Sequence, residues 1–278
     1  MLRRSVLDID GVATPVVSAG EERDEQAVVC RHGNPGYSAD WLDLAPRVAP
    51  FSRLVAPDMP GFGDAGRPAD FDYSVPGYTR HLDALLRRLD VRRAHLVCHD
   101  FGVGWRLSWA LANPNAVASL TLVNIGVLPG YRWHVLARVW RTRGLGELAM
   151  ASVSHFGFAL SMKLANPRPL PREFVDGMYR CFDAGLKRAV LKLYRATDDR
   201  GAMFAPQPEA FRHLTAPVCV VWGARDPYVD VRYAERQREF FASAQVHIFE
   251  DSGHWPHADN PERFAGVVVP FLRRARQE

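Results

Sequence analysis

The stretch AHLVCHDFGVGW, residues Ala94 to Trp105, decides how this chain folds. It begins with an apolar run typical of a strand that is buried on both faces of a parallel sheet. Glycines at positions 102 and 104 then favour a tight turn into a helix. Asp100 lies at the turn itself. A carboxylate therefore stands where the strand ends and the helix begins.

The spacing around Asp100 is that of a nucleophile elbow, in which a strained turn presents one reactive side chain above a sheet. Small residues two positions before and after the nucleophile allow such a turn to close. Gly102 fits this pattern, whereas Cys98 is larger than the usual glycine. The stretch therefore predicts an elbow with one departure from the common pattern.

Length and composition indicate a globular protein. With 278 residues, 47% of them hydrophobic, the chain is long enough for one large domain or for a core with an inserted subdomain. No run approaches the ~18 consecutive apolar residues that a membrane span needs, and the first residues lack the apolar segment of a signal peptide. We therefore expect a cytoplasmic protein without a membrane partner.

The cysteines and charges exclude several function classes. Cys30, Cys98, Cys181 and Cys219 are far apart, which predicts reduced thiols rather than a metal site or a disulfide framework. The net charge is +4, but the basic residues are spread along the chain and form no nucleic-acid motif. Residues 127–213 hold 14 Lys and Arg against 7 Asp and Glu, a surplus of seven. Solvated helix surfaces explain this surplus, and a basic mouth for an anionic substrate is the alternative.

The order of patterns along the chain predicts the fold class. Eight apolar runs bounded by turn residues recur, and most of them show no alternation, as in strands of a parallel sheet. Helical periodicities such as YTRHLDALLRRLD lie between the later runs. We therefore expect an α/β three-layer sandwich with a mostly parallel, eight-stranded sheet.

The alternation of strands and helices is interrupted once. The segments YRWHVLARVWRTRGLGELAM and EFVDGMYRCFDAGLKRAVLKLYR are helical in period, and no strand pattern separates them. This predicts a first core segment at 1–126, an inserted helical cap at 127–213 and a second core segment at 214–278. Ligands of such sheets bind outside the carboxyl ends of the strands, where a cap would cover them.

Three loops at predicted strand ends carry the reactive side chains. Asp100 is in the first, Asp226 in VVWGARDPYV and His254 in FEDSGHWPHADNPERF. Singly, each has a structural explanation as a helix cap, a turn former or one of ten histidines. Together they follow the chain order nucleophile, acid, histidine. The set predicts a catalytic triad.

With these motifs the chain resembles the α/β-hydrolase fold superfamily, and within it the branch with an aspartate nucleophile, which contains haloalkane dehalogenases and epoxide hydrolases. RHGNPGYSADW, residues 31–41, is similar to the HGxP oxyanion loop of that branch, and CHDFG, residues 98–102, to its elbow. DMPGFGDAGRP, residues 58–68, is similar to the loop after the next strand. The resemblance covers nearly the whole chain.

An aspartate nucleophile changes the reaction that is possible. With an ordinary pKa of ~3.9, Asp100 is an anion that needs no base and can displace a leaving group at a saturated carbon. His254, oriented by Asp226, would then activate a water that hydrolyses the resulting ester. Backbone N–H groups of Asn34 and Phe101 are the expected oxyanion hole. The route needs no cofactor and no metal.

The leaving group distinguishes the two activities that the resemblance implies. Haloalkane dehalogenases often bind the halide with a Trp directly after the nucleophile and a Trp or Asn after the HG dipeptide. Asn34 matches the latter, but position 101 is Phe, which has no donor. Trp105, Trp133 and Trp140 are possible substitutes, with packing roles as the simpler interpretation.

An epoxide instead needs a proton donor as its ring opens. FDAGLKRAVLKLYRATDD, residues 182–199, resembles the cap helix in which a donor tyrosine precedes an arginine, which nominates Tyr194. A half-buried structural tyrosine is the alternative explanation. Tyr131 and Tyr179 are candidates for a second donor. The missing donor at Phe101 favours an epoxide hydrolase over a haloalkane dehalogenase.

A third hypothesis is a hydrolase-like protein that binds a ligand, or acts in biosynthesis, without covalent catalysis. The complete triad argues against it. The expected partner is a small molecule, possibly anionic, with no nucleic acid and no membrane. The expected assembly is a monomer or a homodimer.

Overall fold

The architecture is a single eight-stranded sheet with helices on both faces, and it confirms the predicted fold class. The computed structural model describes residues 1–197 and 208–277, the side chains at 102–106, 208 and 209 excepted. The strands, in spatial order β1-β2-β4-β3-β5-β6-β7-β8, are β1 (Arg3–Ile9), β2 (Val12–Ala19), β3 (Gln26–Arg31), β4 (Arg53–Pro57), β5 (Arg93–His99), β6 (Val117–Val123), β7 (Val218–Gly223) and β8 (Ala244–Phe249).

The sheet is parallel except at one edge. Strand β2 pairs antiparallel with both β1 and β4, and every pairing from β4 through β8 is parallel. The strands β3, β5, β6 and β7 are almost completely buried, which explains their continuous apolar sequences. All of their carboxyl ends meet at one edge of the sheet.

The helices are α1 (Ala45–Val48), α2 (Val75–Arg88), α3 (Gly102–Ala112), α4 (Val135–Arg141), α5 (Leu145–Ala151), α6 (His155–Ala165), α7 (Arg172–Arg180), α8 (Ala184–Ala196), α9 (Arg232–Arg236), α10 (Pro256–Asp259) and α11 (Pro261–Ala275). Helices α2 and α3 contribute to the core on one face of the sheet, and α1 and α11 to the core on the other. Successive strand residues alternate between the two cores, as Leu96 and Val97 do.

Helices α4 to α8 all lie between β6 and β7, in the stretch where the sequence predicts a cap. The first predicted helical segment is interrupted after Arg141, where Thr142 caps α4 in an extended conformation, and Gly144, with a φ of 79°, caps the start of α5. The second is interrupted at Asp183, whose side chain accepts a hydrogen bond from the Leu186 N–H and caps α8. The exact segment boundaries 126/127 and 213/214 stay a prediction.

Two further observations concern the sequence predictions. All four cysteines are buried, and none of them forms a disulfide. Among the described residues, no single helix is long and apolar enough to cross a membrane, although α5 and α6, which are bent by 103° at their junction, reach that length and composition together.

Candidate active site

Asp100 lies at the tip of the turn between β5 and α3, at the carboxyl edge of the sheet. Its φ of 47° falls in the left-handed region, which confers the strain expected of an elbow. The turn packs so closely on the β3 loop that a Cβ on Gly33 would lie 2.5 Å from the Asp100 Cβ. Only glycine at position 33 therefore allows the two loops to meet.

The Asp100 carboxylate is held by backbone donors. The Asn34 N–H donates to Oδ2 over 2.8 Å, and the Phe101 N–H also bonds the carboxylate. Burial raises the pKa of Asp100, whereas the His254 charge and these two donors oppose that rise. The two N–H groups are those that the sequence nominated for an oxyanion hole.

Asp226 and His254 form a buried pair beside Asp100. The distance from His254 Nδ1 to Asp226 Oδ2 is 2.7 Å, and both side chains are almost completely shielded from water. Burial alone would lower the pKa of His254, but the hydrogen bond and charge of Asp226, together with the charge of Asp100, raise it above its ordinary value. The structure thus brings all three predicted triad residues together.

Asn124 is a site residue that the sequence reasoning missed. It follows β6 with a φ of 51°, and its Nδ2 donates to Asp226 Oδ2 over 2.6 Å. Its Oδ1 accepts from the Gly223 N–H, while the Tyr228 and Val229 N–H groups donate to the other oxygen of Asp226. The acid is therefore fixed from several directions. Its position at the end of a buried strand, in LVNIG, was the available signal.

His99, directly before Asp100 in the sequence, contacts both the backbone and the ring of His254. Its Nε2 lies 2.8 Å from the His254 carbonyl oxygen, and the two rings are 4.8 Å apart. A carbonyl oxygen can only accept, so His99 carries its proton on Nε2. This contact ties the loop of the histidine to the strand of the nucleophile.

A cavity of about 290 Å³ opens above these residues, between the sheet and the cap. Asp100 and His254 form its floor, and α5, α6 and α8 contribute much of its wall. Its polar lining includes Asn34, Tyr194 and Tyr228, while no Arg or Lys is found among the described lining residues. The cavity suits a small, uncharged molecule.

The comparisons with known proteins agree with this geometry. Residues 27–267 match the model of the "Alpha/beta hydrolase family". The chain belongs to this family.

Relatives of this hydrolase have different activities. It is 34% identical to a haloalkane dehalogenase of Mesorhizobium japonicum, over 97% of this chain and 91% of that protein. It is 28% identical to a 2-hydroxymuconate semialdehyde hydrolase of Pseudomonas sp. (strain CF600), over 88% of this chain and 86% of that one. The structure of the epoxide hydrolase CorEH superposes with a TM-score of 0.83 at 18% identity, covering 99% of both chains, which shows a shared fold.

Among the predicted cap residues of the hydrolase, Tyr194 lines the cavity. Its hydroxyl oxygen accepts a hydrogen bond from Asn34 Nδ2 over 3.4 Å, and its ring contacts Phe101 at 4.6 Å between centroids. Burial, together with the Asp100 charge, raises the pKa of Tyr194 well above 10. The phenol is therefore protonated and able to donate.

The other three predicted residues do not line the cavity. Tyr131 donates its hydroxyl to the Tyr228 carbonyl oxygen, and the Trp133 ring stacks on the Phe101 ring with 6.1 Å between centroids. Tyr179 instead packs against His155 and Phe182. Among the tryptophans, Trp140 and Trp255 line the cavity, and the side chain of Trp105 lies outside the described residues.

Two titratable lining residues were not predicted. Tyr228 follows Asp226 by two residues, and its ring lies 5.0 Å from that of His254. His134 precedes α4, and its Nδ1 accepts from the Ala137 N–H over 3.2 Å, so its proton is on Nε2. Burial, assisted by the His254 charge, lowers the pKa of His134 to about 4. His134 is therefore a neutral donor at the cavity wall.

No group of three or more His, Cys, Asp or Glu side chains arranged to hold a metal ion is found in the described part of the chain. The site is built from hydrogen-bond donors, a carboxylate and an imidazole.

Proposed function

We propose that this hydrolase opens an uncharged epoxide to a diol through a covalent ester on Asp100. The observation that carries the proposal is that the Asp100 carboxylate and the Tyr194 hydroxyl face one apolar cavity. A nucleophile and a proton donor are the two groups that opening an epoxide requires.

In the first step, the free oxygen of Asp100 attacks an epoxide carbon. The bond between that carbon and the ring oxygen breaks, its electron pair goes to the oxygen, and the oxygen takes a proton from Tyr194. In the hydrogen bond from Asn34 Nδ2, the phenol oxygen is the acceptor, so the phenol proton stays available for the epoxide oxygen. Asp100 Oδ2 keeps its bond from the Asn34 N–H, which leaves Oδ1 to attack.

In the second step, His254 removes a proton from a water that attacks the Asp100 carboxyl carbon. The negative charge develops on Oδ2, where the Asn34 N–H stabilises it, and the Phe101 N–H bonds the same carboxyl group. The intermediate then expels the product oxygen, which takes the proton from His254, and the proton that the water leaves on the Asp100 carboxyl returns to the Tyr194 phenolate. Esterification also removes the Asp100 charge, which is one cause of the raised pKa of His254. The imidazole therefore becomes easier to deprotonate at the step that needs a base.

The test is a single turnover with excess enzyme in water enriched in oxygen-18. Because the water attacks the carboxyl carbon, the label is expected in the peptide that contains Asp100 and not in the diol. Label in the diol would mean that water attacks the epoxide directly, and the proposal would be wrong.

The His254→Gln variant isolates the ester. Attack by Asp100 needs no base, but hydrolysis does, so we expect one epoxide consumed per enzyme and then turnover that is slower by about 10²-fold or more. The Asp100 peptide should gain the mass of the substrate. The matched control is the His254→Gln, Asp100→Asn double variant, which should gain no mass. Full activity of Asp100→Asn alone would support the third hypothesis, in which there is no covalent route.

Haloalkane dehalogenation is the second candidate. The relative at 34% identity favours it, as does Trp255, a cavity residue whose Nε1 has no hydrogen-bond partner within the described structure. Asn34 Nδ2 is the other candidate halide donor, although it is bonded to Tyr194. Incubation with a panel of epoxides and haloalkanes decides between epoxide hydrolysis and dehalogenation. Halide release without diol formation from any epoxide would select the dehalogenase.

The charge of the substrate is also a proposal. The sequence left open a basic mouth for an anion, but some cap arginines are paired with carboxylates at the surface, as in the pairs Arg195–Glu147 and Arg172–Asp176. The absence of Arg and Lys from the described cavity lining supports an uncharged substrate.

A further inference from the structure

The outer surface of α4 to α6 is unusually apolar. Of the ten large apolar side chains that are exposed in the described structure, seven belong to these three helices. We call this set the cap apolar surface, and its members are Val135, Leu136, Leu145, Leu148, Phe156, Leu160 and Leu164. Such a concentration of exposed apolar side chains on three successive helices marks an interaction site.

Helix α6 shows how the surface is built. Phe156, Leu160 and Leu164 recur every four residues and are 77%, 44% and 77% exposed. The opposite side of the same helix is buried through Phe158 and Met162. Helix α6 therefore has two apolar faces, and the core of the protein uses only one.

Within the segment that carries this surface, the charged residues are almost all positive. Exposed Arg132, Arg138, Arg143 and Lys163 lie within residues 132–165, where Glu147 is the one acidic residue in the sequence. Glu147 is itself paired with Arg195 at 2.6 Å. An apolar face bordered by cations is the pattern of a surface that lies on anionic lipids.

The mouth of the cavity opens in the same region. Leu136 belongs to the cap apolar surface, is 39% exposed and also lines the cavity. Ser154 and Ser161 are exposed and line the cavity as well. A molecule that leaves a partner bound to these helices would therefore enter the cavity beside them and reach Asp100.

We propose that the cap apolar surface docks on the face of a lipid bilayer that contains anionic phospholipids. The helices lie in the interface, with their apolar side chains among the acyl chains and their cations at the headgroups. This departs from the expectation of no membrane partner, which rested on the lack of a spanning segment. The docking does not depend on the reaction at Asp100, although it would bring a lipid-soluble substrate to the cavity.

Charge argues against a second copy of the chain as the occupant. In a twofold dimer through this face, the exposed cations of residues 132–165 would meet few acidic partners, because Glu147 is the one acidic residue of that range and is already paired with Arg195. An anionic bilayer would cover the apolar side chains and would also attract the cations beside them.

The test is co-sedimentation of the full chain with vesicles of phosphatidylcholine, with and without about one-third phosphatidylglycerol. We expect binding to the anionic vesicles at low salt and loss of binding at high salt. The Phe156→Asp, Leu164→Asp double variant should bind about tenfold or more weakly. Each of the changes Arg143→Gln and Lys163→Gln should weaken binding about fivefold at low salt.

The matched control is Val6→Asp. It changes a 66% exposed apolar residue on the edge strand β1, outside the cap apolar surface, and should leave binding unchanged. All of the substituted side chains are exposed, so the thermal midpoints of the variants should equal that of the parent. Parent protein that stays in the supernatant with anionic vesicles would overturn the proposal. So would a dimer in sedimentation velocity that the Phe156→Asp, Leu164→Asp variant dissociates, because the surface would then belong to a second copy. Neither outcome concerns turnover, which tests the proposed reaction separately.

Discussion

Replacing His257 with phenylalanine should remove part of the acid sensitivity of the fold. His257 lies behind the active site, where the Trp41 ring stacks on it with 4.8 Å between centroids. Neither of its ring nitrogens has a hydrogen-bond partner in the described structure. Burial lowers its pKa to about 3, and the His254 charge contributes. The folded chain therefore holds this imidazole neutral.

The magnitude follows from proton linkage. In the unfolded chain a histidine has a pKa of about 6.5, so at a pH of about 5.5 the unfolded state binds roughly one proton there and the folded state binds none. A folded pKa below the unfolded one means that stability is lost as the pH falls. Between about pH 7.5 and 5.5, His257 thus costs about 1.4 kcal/mol of unfolding free energy.

Urea unfolding followed by tryptophan fluorescence at both pH values measures this cost. The loss of unfolding free energy on acidification should be about 1.4 kcal/mol smaller in His257→Phe than in the parent. Because two losses are compared, a constant packing change cancels, and so does the opposite contribution of Asp259, whose pKa burial raises to about 6. The control His213→Phe changes an exposed ring and should show the parental loss. Equal losses in the parent and in His257→Phe would refute the reasoning.

Three further predictions concern the site. Tyr194→Phe should slow alkylation by an epoxide about 10²-fold or more and leave alkylation by a bromoalkane unchanged, as measured by quenched-flow mass spectrometry. Asn124→Ala should cost about 3 kcal/mol in urea unfolding, because it removes buried hydrogen bonds and places alanine at a positive φ. Asp226→Asn should move the acid limb of ester hydrolysis to lower pH, because Asp226 raises the pKa of His254. An acid limb that stays in place in single-turnover pH profiles would show that another group titrates there.

The sheet and the floor of the site could be predicted from sequence because topology fixes them. Continuous apolar runs placed Asp100, Asp226 and His254 at strand ends, and parallel strands bring such ends to one edge. Asn124 and Tyr228 lie at the same edge and were open to the same argument. They were missed because an amide and a phenol do not by themselves suggest a catalytic role.

The wall of the site could not be predicted in the same way. Periodicity shows that α4, α7 and α8 are helices, but it does not show which face meets the sheet. Tyr194 and Tyr179 both lie on amphipathic cap helices, yet Tyr194 lines the cavity with Asp100, whereas Tyr179 packs on His155 and does not line it. Helix packing in three dimensions decides that difference.

The cap leaves the sheet after β6 and returns at β7, and these two strands are direct neighbours, with Leu120 opposite Val218. Both ends of the insertion are therefore anchored in one rigid ladder, while Asp100, Asp226 and His254 are all supplied by the core. The cap is therefore a unit that could be exchanged without changing the strands that carry these three residues. Grafting the corresponding helices of another member of the family between β6 and β7 would exchange the substrate wall and leave the hydrolytic machinery in place.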